Sequence, residues 1–234
     1  MRPRLPIPWY VITSNRDFIV VVDGGGCWHT LTLGSQEVCG LEWSPDGSQL
    51  ASGGNDNLLC IWNANELNSP AHRIQHHQAA VRALGWAPPR RGLLASGGGT
   101  ADRRLCFWNS LTGACIKEVD TKSQVCAIKW SKNHKDELIT SHGFSHNQLT
   151  IWNYQRLSKL AELSGHTSRV LYMAESPDGE TIVSAAGDES LRFWKAFAKT
   201  DVASSTAAAA AKAAAAACPG SSADVKSLSM ARLR

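Results

Sequence analysis

Two sets of four residues have the types and spacing to do chemistry. His77, Ser96, Asp102 and Trp108 make one set; His166, Ser184, Asp188 and Trp194 make the other. Serine, histidine and aspartate are the parts of a nucleophilic triad, in which aspartate orients histidine and histidine takes the serine proton. A triad is recognised by its geometry, and here the same types return at matching places in two repeats. Duplication favours a structural job: the aspartate orients the histidine, and a buried indole N–H gains a partner. No other nucleophile–base pair and no metal-ligand cluster stands out, so no enzyme, cofactor or metal is expected.

A third group is polar and scattered. Asn55, Asn57 and Thr100 fall in turns, whereas Gln124 and Arg169 fall just before strand-like runs. Amides donate and accept at once, and arginine offers a planar fork for a carboxylate. Turn chemistry is the competing account, because asparagine and glycine tolerate left-handed backbone.

The elements that must position these residues repeat. Runs ending in Trp62, Trp108, Trp152 and Trp194 close 46, 44 and 42 residues apart. Each is preceded by a second run, "VCGLEW", "VRALGW", "VCAIKW" or "VLYMAE", whose opening valines lie 43, 44 and 45 residues apart. Such a period, with tryptophan closing the third strand, marks WD-type propeller blades. In the first repeat, Val38–Trp43 reads as strand a, Gln49–Ser52 as b, Leu58–Trp62 as c and 71–75 as a weaker d, with Ser-Pro-Asp-Gly as a turn. Runs such as "LLCIW" and "RLCFW" are apolar on both faces, as in a sheet covered on both sides. Gly34 stands where the first repeat would carry its histidine. In the third, Thr121 takes that place and His146 takes the aspartate's, so these two blades are expected to be less tightly pinned.

The fold class is therefore all-β, a WD-repeat β-propeller with four clear blades over 37–199. Residues 1–36 hold strand-like pieces that could supply a degenerate blade. Residues 200–234, with the run "AAAAAKAAAAA" inside them, read as a low-complexity tail, disordered or partly helical. No strand d is evident after Trp194. Four blades are the lower limit of closed propellers, so the chain reads as part of a larger ring or one that needs a partner.

Composition narrows the partners. The formal charge of +4 is scattered, not striped, and "APPRRG" and the final "ARLR" are the only local concentrations. Neither nucleic acid nor membrane is expected as a partner. Seven cysteines contain no Cys-x-x-Cys pair. Cys60 and Cys106 share one slot of strand c, and Cys39 and Cys126 share one slot of strand a. They read as small core-filling thiols in a reducing compartment, cytoplasm or nucleus.

Across 36–197 the chain resembles the Fizzy family of WD-repeat co-activators of the anaphase-promoting complex, a ubiquitin ligase. The resemblance is carried by "EVCGLEWSPDGSQLASGGNDNLLCIW", "LASGGGTADRRLCFWN", "SQVCAIKWS", "ELITSHGF", "AELSGHTSRVL" and "SPDGETIVSAAGDESLRFW". It implies a seven-bladed propeller, of which roughly the last four blades are here. It implies protein partners, namely degron-bearing substrates and subunits of the ligase. Carried over by position, Arg169 would pair with the glutamate of a Lys-Glu-Asn degron. Asn55, Asn57, Thr100 and Gln124 would hydrogen-bond the peptide, and Glu189 would flank the groove for the arginine of a destruction box. Leu233 and Arg234 stand where family members end in Ile-Arg, a ligase-docking tail. The family's N-terminal docking box has no counterpart. A shortened isoform or divergent paralogue that serves as a scaffold without activating, for instance in centriole or cilium assembly, is the alternative.

Overall fold

The computed structural model describes residues 37–88 and 90–197, together with the backbone of three strands before them. Those three, β1 (Tyr10–Thr13), β2 (Phe18–Val22) and β3 (Trp28–Thr32), form one antiparallel sheet in sequence order. The predicted tail and its Leu233-Arg234 end lie outside the described residues, as do Gly34, Cys27 and Cys218.

Four further sheets follow, each a meander, and together they form the β-propeller. The first blade is β4 (Val38–Trp43), β5 (Gln49–Gly54), β6 (Leu59–Asn63) and β7 (His72–Ile74). The second is β8 (Val81–Trp86), β9 (Leu93–Gly98), β10 (Arg104–Asn109) and β11 (Cys115–Asp120). The third is β12 (Val125–Trp130), β13 (Glu137–His142), β14 (Leu149–Asn153) and β15 (Ser158–Leu163). The fourth has three strands among the described residues: β16 (Val170–Glu175), β17 (Thr181–Ala186) and β18 (Leu191–Lys195). No helix among the described residues is long and apolar enough to cross a membrane.

Innermost strands β4, β8, β12 and β16 lie side by side and face a central channel. Each carries a bulge at its second residue, at Cys39, Arg82, Cys126 and Leu171. A bulge adds a residue and sharpens the twist, and these four residues all line the channel. Two contacts cross it. The Arg82 guanidinium lies 5.4 Å from the centroid of the Tyr172 ring, and Lys129 Nζ lies 3.2 Å from Glu42 Oε1.

The blades stack through small residues. A Cβ on Gly53 would come within 2.1 Å of the Val81 carbonyl oxygen, and one on Gly40 within 2.3 Å of the Arg82 carbonyl oxygen. Between the second and third blades, a Cβ on Gly97 would meet Val125 at 2.5 Å. Between the third and fourth, Ser141 Oγ donates to the Val170 carbonyl at 3.2 Å. The tryptophans that end strand a stitch the same seams. Trp86 Nε1 donates to the Glu42 carbonyl and Trp130 Nε1 to the Gly85 carbonyl, both at 2.9 Å. The fourth blade has Glu175 at this place. Its carboxylate reaches back instead, accepting the Lys132 N–H at 3.1 Å.

Core strands are buried on both faces, as their runs of apolar residues require. In β6, Leu59, Ile61 and Trp62 are fully buried, and Leu105, Cys106 and Phe107 are in β10.

Candidate functional site: the rim of turns

The two sets of four are hydrogen-bonded clusters inside their blades. In the second blade His77 Nδ1 meets Asp102 Oδ2 at 2.5 Å and His77 Nε2 meets Ser96 Oγ at 2.6 Å. Trp108 Nε1 donates to the same serine oxygen at 2.7 Å. The fourth blade repeats it: His166 to Asp188 at 3.0 Å, His166 to Ser184 at 2.7 Å, and Trp194 Nε1 to Ser184 at 2.9 Å. Each serine oxygen is engaged by both histidine and indole, and all of them are buried or half-buried. Burial alone would raise the Asp102 carboxyl. Its bonds from His77 and the Gln78 N–H, with the Arg104 charge, hold it below the usual carboxylate range instead. Asp188 is held low against burial by Ser190, the Thr167 N–H and His166.

The third blade does not use Thr121 or His146 in this way. Trp152 Nε1 donates to Thr140 Oγ1 at 2.8 Å, and the imidazole on that oxygen is His142, also at 2.8 Å. His142 comes from β13 itself, two residues beyond Thr140. Thr121 bonds backbone carbonyls instead. Burial pushes the His142 pKa down to about 4, against a smaller upward pull from the Gln124 backbone.

In the second and fourth blades the cluster's aspartate lies in the b–c turn and ties it to the histidine that precedes strand a. In three blades the first turn residue donates its N–H to the residue just before strand a: Asn55 to Glu37 at 2.8 Å, Gly143 to Gln124 at 3.3 Å and Gly187 to Arg169 at 3.0 Å. One repeated bond therefore ties the turn and the start of strand a to the same end of each blade. The last turn residue is left-handed in all four: Asn57 (φ 67°), Arg103 (58°), Asn147 (49°) and Glu189 (60°). Asparagine bears that conformation better than most residues, so backbone geometry accounts for Asn57 whatever its side chain binds.

Three of the rim residues are contiguous. Thr100 Oγ1 donates to Gln124 Oε1 at 3.2 Å. Gln124 and Arg169 flank Gly143, where an added Cβ would lie 3.4 Å from Gln124 Oε1 and 3.3 Å from Arg169 Nε. Thr100 and Arg169 are exposed, and Gln124 is half-buried. Asn55 and Asn57 share the first blade's turn and make no side-chain hydrogen bond to this trio. Glu189, exposed, lies in the fourth blade's turn, two residues after the glycine that bonds Arg169.

Phe144 belongs to the same rim and was not singled out from the sequence. It is 79% exposed, next to Gly143, in a turn anchored by Ser123 Oγ donating to its carbonyl at 2.7 Å. A large apolar residue inside an otherwise polar turn, "SHGFSHN", was the available signal.

Stacked meanders of three or four described strands, with an indole-bonded serine or threonine in each blade and turns gathered on one rim, define a WD-type propeller. A family model of the CDC20/Fizzy WD40 domain matches residues 21–194. The chain belongs to that family. It is similar to the anaphase-promoting complex subunit cdc20 of Dictyostelium discoideum, 59% identical over 73% of this chain and 34% of the relative. It is 56% identical to cell division cycle 20.1, cofactor of APC complex, of Arabidopsis thaliana, over 74% of this chain and 39% of that one. Meiotic fizzy-related protein 1 of Schizosaccharomyces pombe is 50% identical over 78% and 43%. Among solved structures, a chain of the "Crystal Structure of Mitotic Checkpoint Complex" superimposes with a TM-score of 0.74 at 44% identity, covering 78% of this chain and 59% of that chain. The chain thus spans roughly a third to two fifths of the length of these relatives.

Proposed function

We propose that this propeller is a substrate-recognition part of an anaphase-promoting complex co-activator, a non-catalytic adaptor acting in cell-cycle control. The names of the relatives, one a subunit and one a cofactor of that complex, support the setting. The observation that carries the site is the continuous Thr100–Gln124–Arg169 trio beside exposed Phe144. An extended Lys-Glu-Asn peptide lies along this rim. Arg169 takes its glutamate carboxylate by a charged hydrogen bond, Gln124 and Thr100 take backbone amides, and Asn55 and Asn57 extend the track across the first blade. Glu189 flanks the groove for the arginine of a destruction box on the neighbouring side. Partners are degron-bearing proteins and ligase subunits in cytoplasm and nucleus.

Neutral hydrogen bonds contribute about 0.5–1.5 kcal/mol each and charged ones about 1.5–3, so binding is weak and reversible. A fluorescently labelled Lys-Glu-Asn peptide, followed by anisotropy, is expected to bind. Arg169→Ala removes the charged bond and weakens binding about 10- to 100-fold. Equal binding by that variant ends the assignment.

A further inference from the structure

Outside the rim, three metal-ligating side chains meet with no motif behind them. Strands β10 and β11 pair so that Cys106 stands opposite Glu118, and residues directly opposite share a face. The link between the first and second blades lays His76 over that face. Its Nε2 is 2.9 Å from Glu118 Oε2, and its ring sits edge-to-face on Trp108 with centroids 5.3 Å apart. The donor atoms of His76, Cys106 and Glu118 all lie within 4.8 Å of one another. Cys106 is fully buried, whereas the side chains of His76 and Glu118 are 36% and 49% exposed. The thiol forms the floor, and the two exposed ligands form the mouth.

We propose that His76, Cys106 and Glu118 form a site for a zinc-class divalent metal ion, with water as the fourth ligand. Sulfur, imidazole nitrogen and carboxylate oxygen are the donor set that zinc takes, at about 2.0–2.3 Å each. Those lengths put tetrahedral ligands roughly 3.3–3.7 Å apart, so the trio must contract by about 1 Å from its widest separation. Rotation of the two exposed side chains supplies this. The proton between His76 Nε2 and Glu118 Oε2 gives way to the metal, and the Cys106 thiol releases its proton to solvent. Soft sulfur selects against magnesium and calcium. Arg104 Nη1 lies 3.5 Å from Glu118 Oε2 and helps to hold the carboxylate in place, as outer partners of metal ligands do.

The residue across the sheet separates Cys106 from Cys60, its counterpart one blade earlier. Cys60 stands opposite Arg73, a cation. Cys106 stands opposite a carboxylate.

Titration of the full-length, chelator-stripped chain with Co²⁺ tests the site. One equivalent is expected to bind and produce a near-ultraviolet thiolate-to-cobalt band, which one equivalent of Zn²⁺ abolishes. Cys106→Ser loses the band, and Cys60→Ser and Cys115→Ser keep it. His76→Gln and Glu118→Gln, both at exposed side chains, keep the parent circular dichroism and weaken Co²⁺ binding about tenfold or more. A chain with no thiolate band, a band that survives Cys106→Ser, or unchanged affinity in both exposed-ligand variants overturns the proposal.

Discussion

The second and fourth blades carry the same hydrogen-bonded quartet in different surroundings. The second has four strands and a neighbour on each face. Its Asp102 side chain is fully shielded and Trp108 is 2% exposed. The fourth has three described strands and one described neighbour. Asp188 is 10% exposed at its side chain, and on its free face Leu191 and Phe193 stand 66% and 73% exposed. Yet His166, Ser184 and Trp194 keep their bonds. The quartet is thus specified within a blade, by residues a turn or a strand apart, whereas its isolation from water is specified by the blades beside it.

That contrast can be broken most directly by deleting the two aspartates. Asp102→Ala removes a fully shielded carboxylate, leaves His77 Nδ1 without its partner and is expected to cost about 3–5 kcal/mol. Asp188→Ala removes a partly exposed carboxylate and leaves Ser190 Oγ, 3.2 Å from His166 Nδ1, as a partner for the equally buried imidazole, so it costs about 1–2 kcal/mol. Urea midpoints of the two variants decide it, and equal losses would mean that neighbouring blades do not set the cost.

The third blade sharpens the comparison through pH. Folded His142 takes up its proton only near pH 4, against about 6.5 in the unfolded chain. Between those values the unfolded chain binds the extra proton. Stability therefore falls as pH drops from about 6.5 to 4, by on the order of 3 kcal/mol, and this contribution levels off below. Replacing His142 by Gln is expected to flatten that part of the pH profile, as read by thermal melting in a pH series.

The seams give the smallest difference. Gly97→Ala puts a methyl group into Val125 and is expected to cost about 1–3 kcal/mol. Tyr172→Ala, at the matching face of the fourth blade, removes a 64% exposed ring and is expected to cost less than about 1 kcal/mol. Comparable melting shifts for the two would show that the free face is not free.

Much of this was legible in the sequence because propeller repeats encode strands locally. The period of the tryptophans marked β6, β10, β14 and β18, and the quartets stood at matched spacings before any bond was seen. That turns and starts of strand a share one end followed from the meander, and the Asn55, Gly143 and Gly187 bonds make that link. What escaped lies in substitutions between non-equivalent positions. His142 does for Thr140 what His77 does for Ser96, but from within strand b, where no repeat alignment looks for it. Neighbours set by register and burial were equally hidden: Glu118 beneath His76, and Phe144 standing out from the rim. Cys106 looked like Cys60 because its slot is the same. Only the residue across the sheet differs.

The seams also give the array a direction. The first three blades turn a shelf of Gly40, Ala83 or Ala127 toward their successor, flat enough for a backbone to lie against. At that position the fourth presents the Tyr172 ring, held over Arg82. Tyr172 therefore gives this side of the array an exposed aromatic ring backed by a cation, where the other blades offer a flat backbone seat.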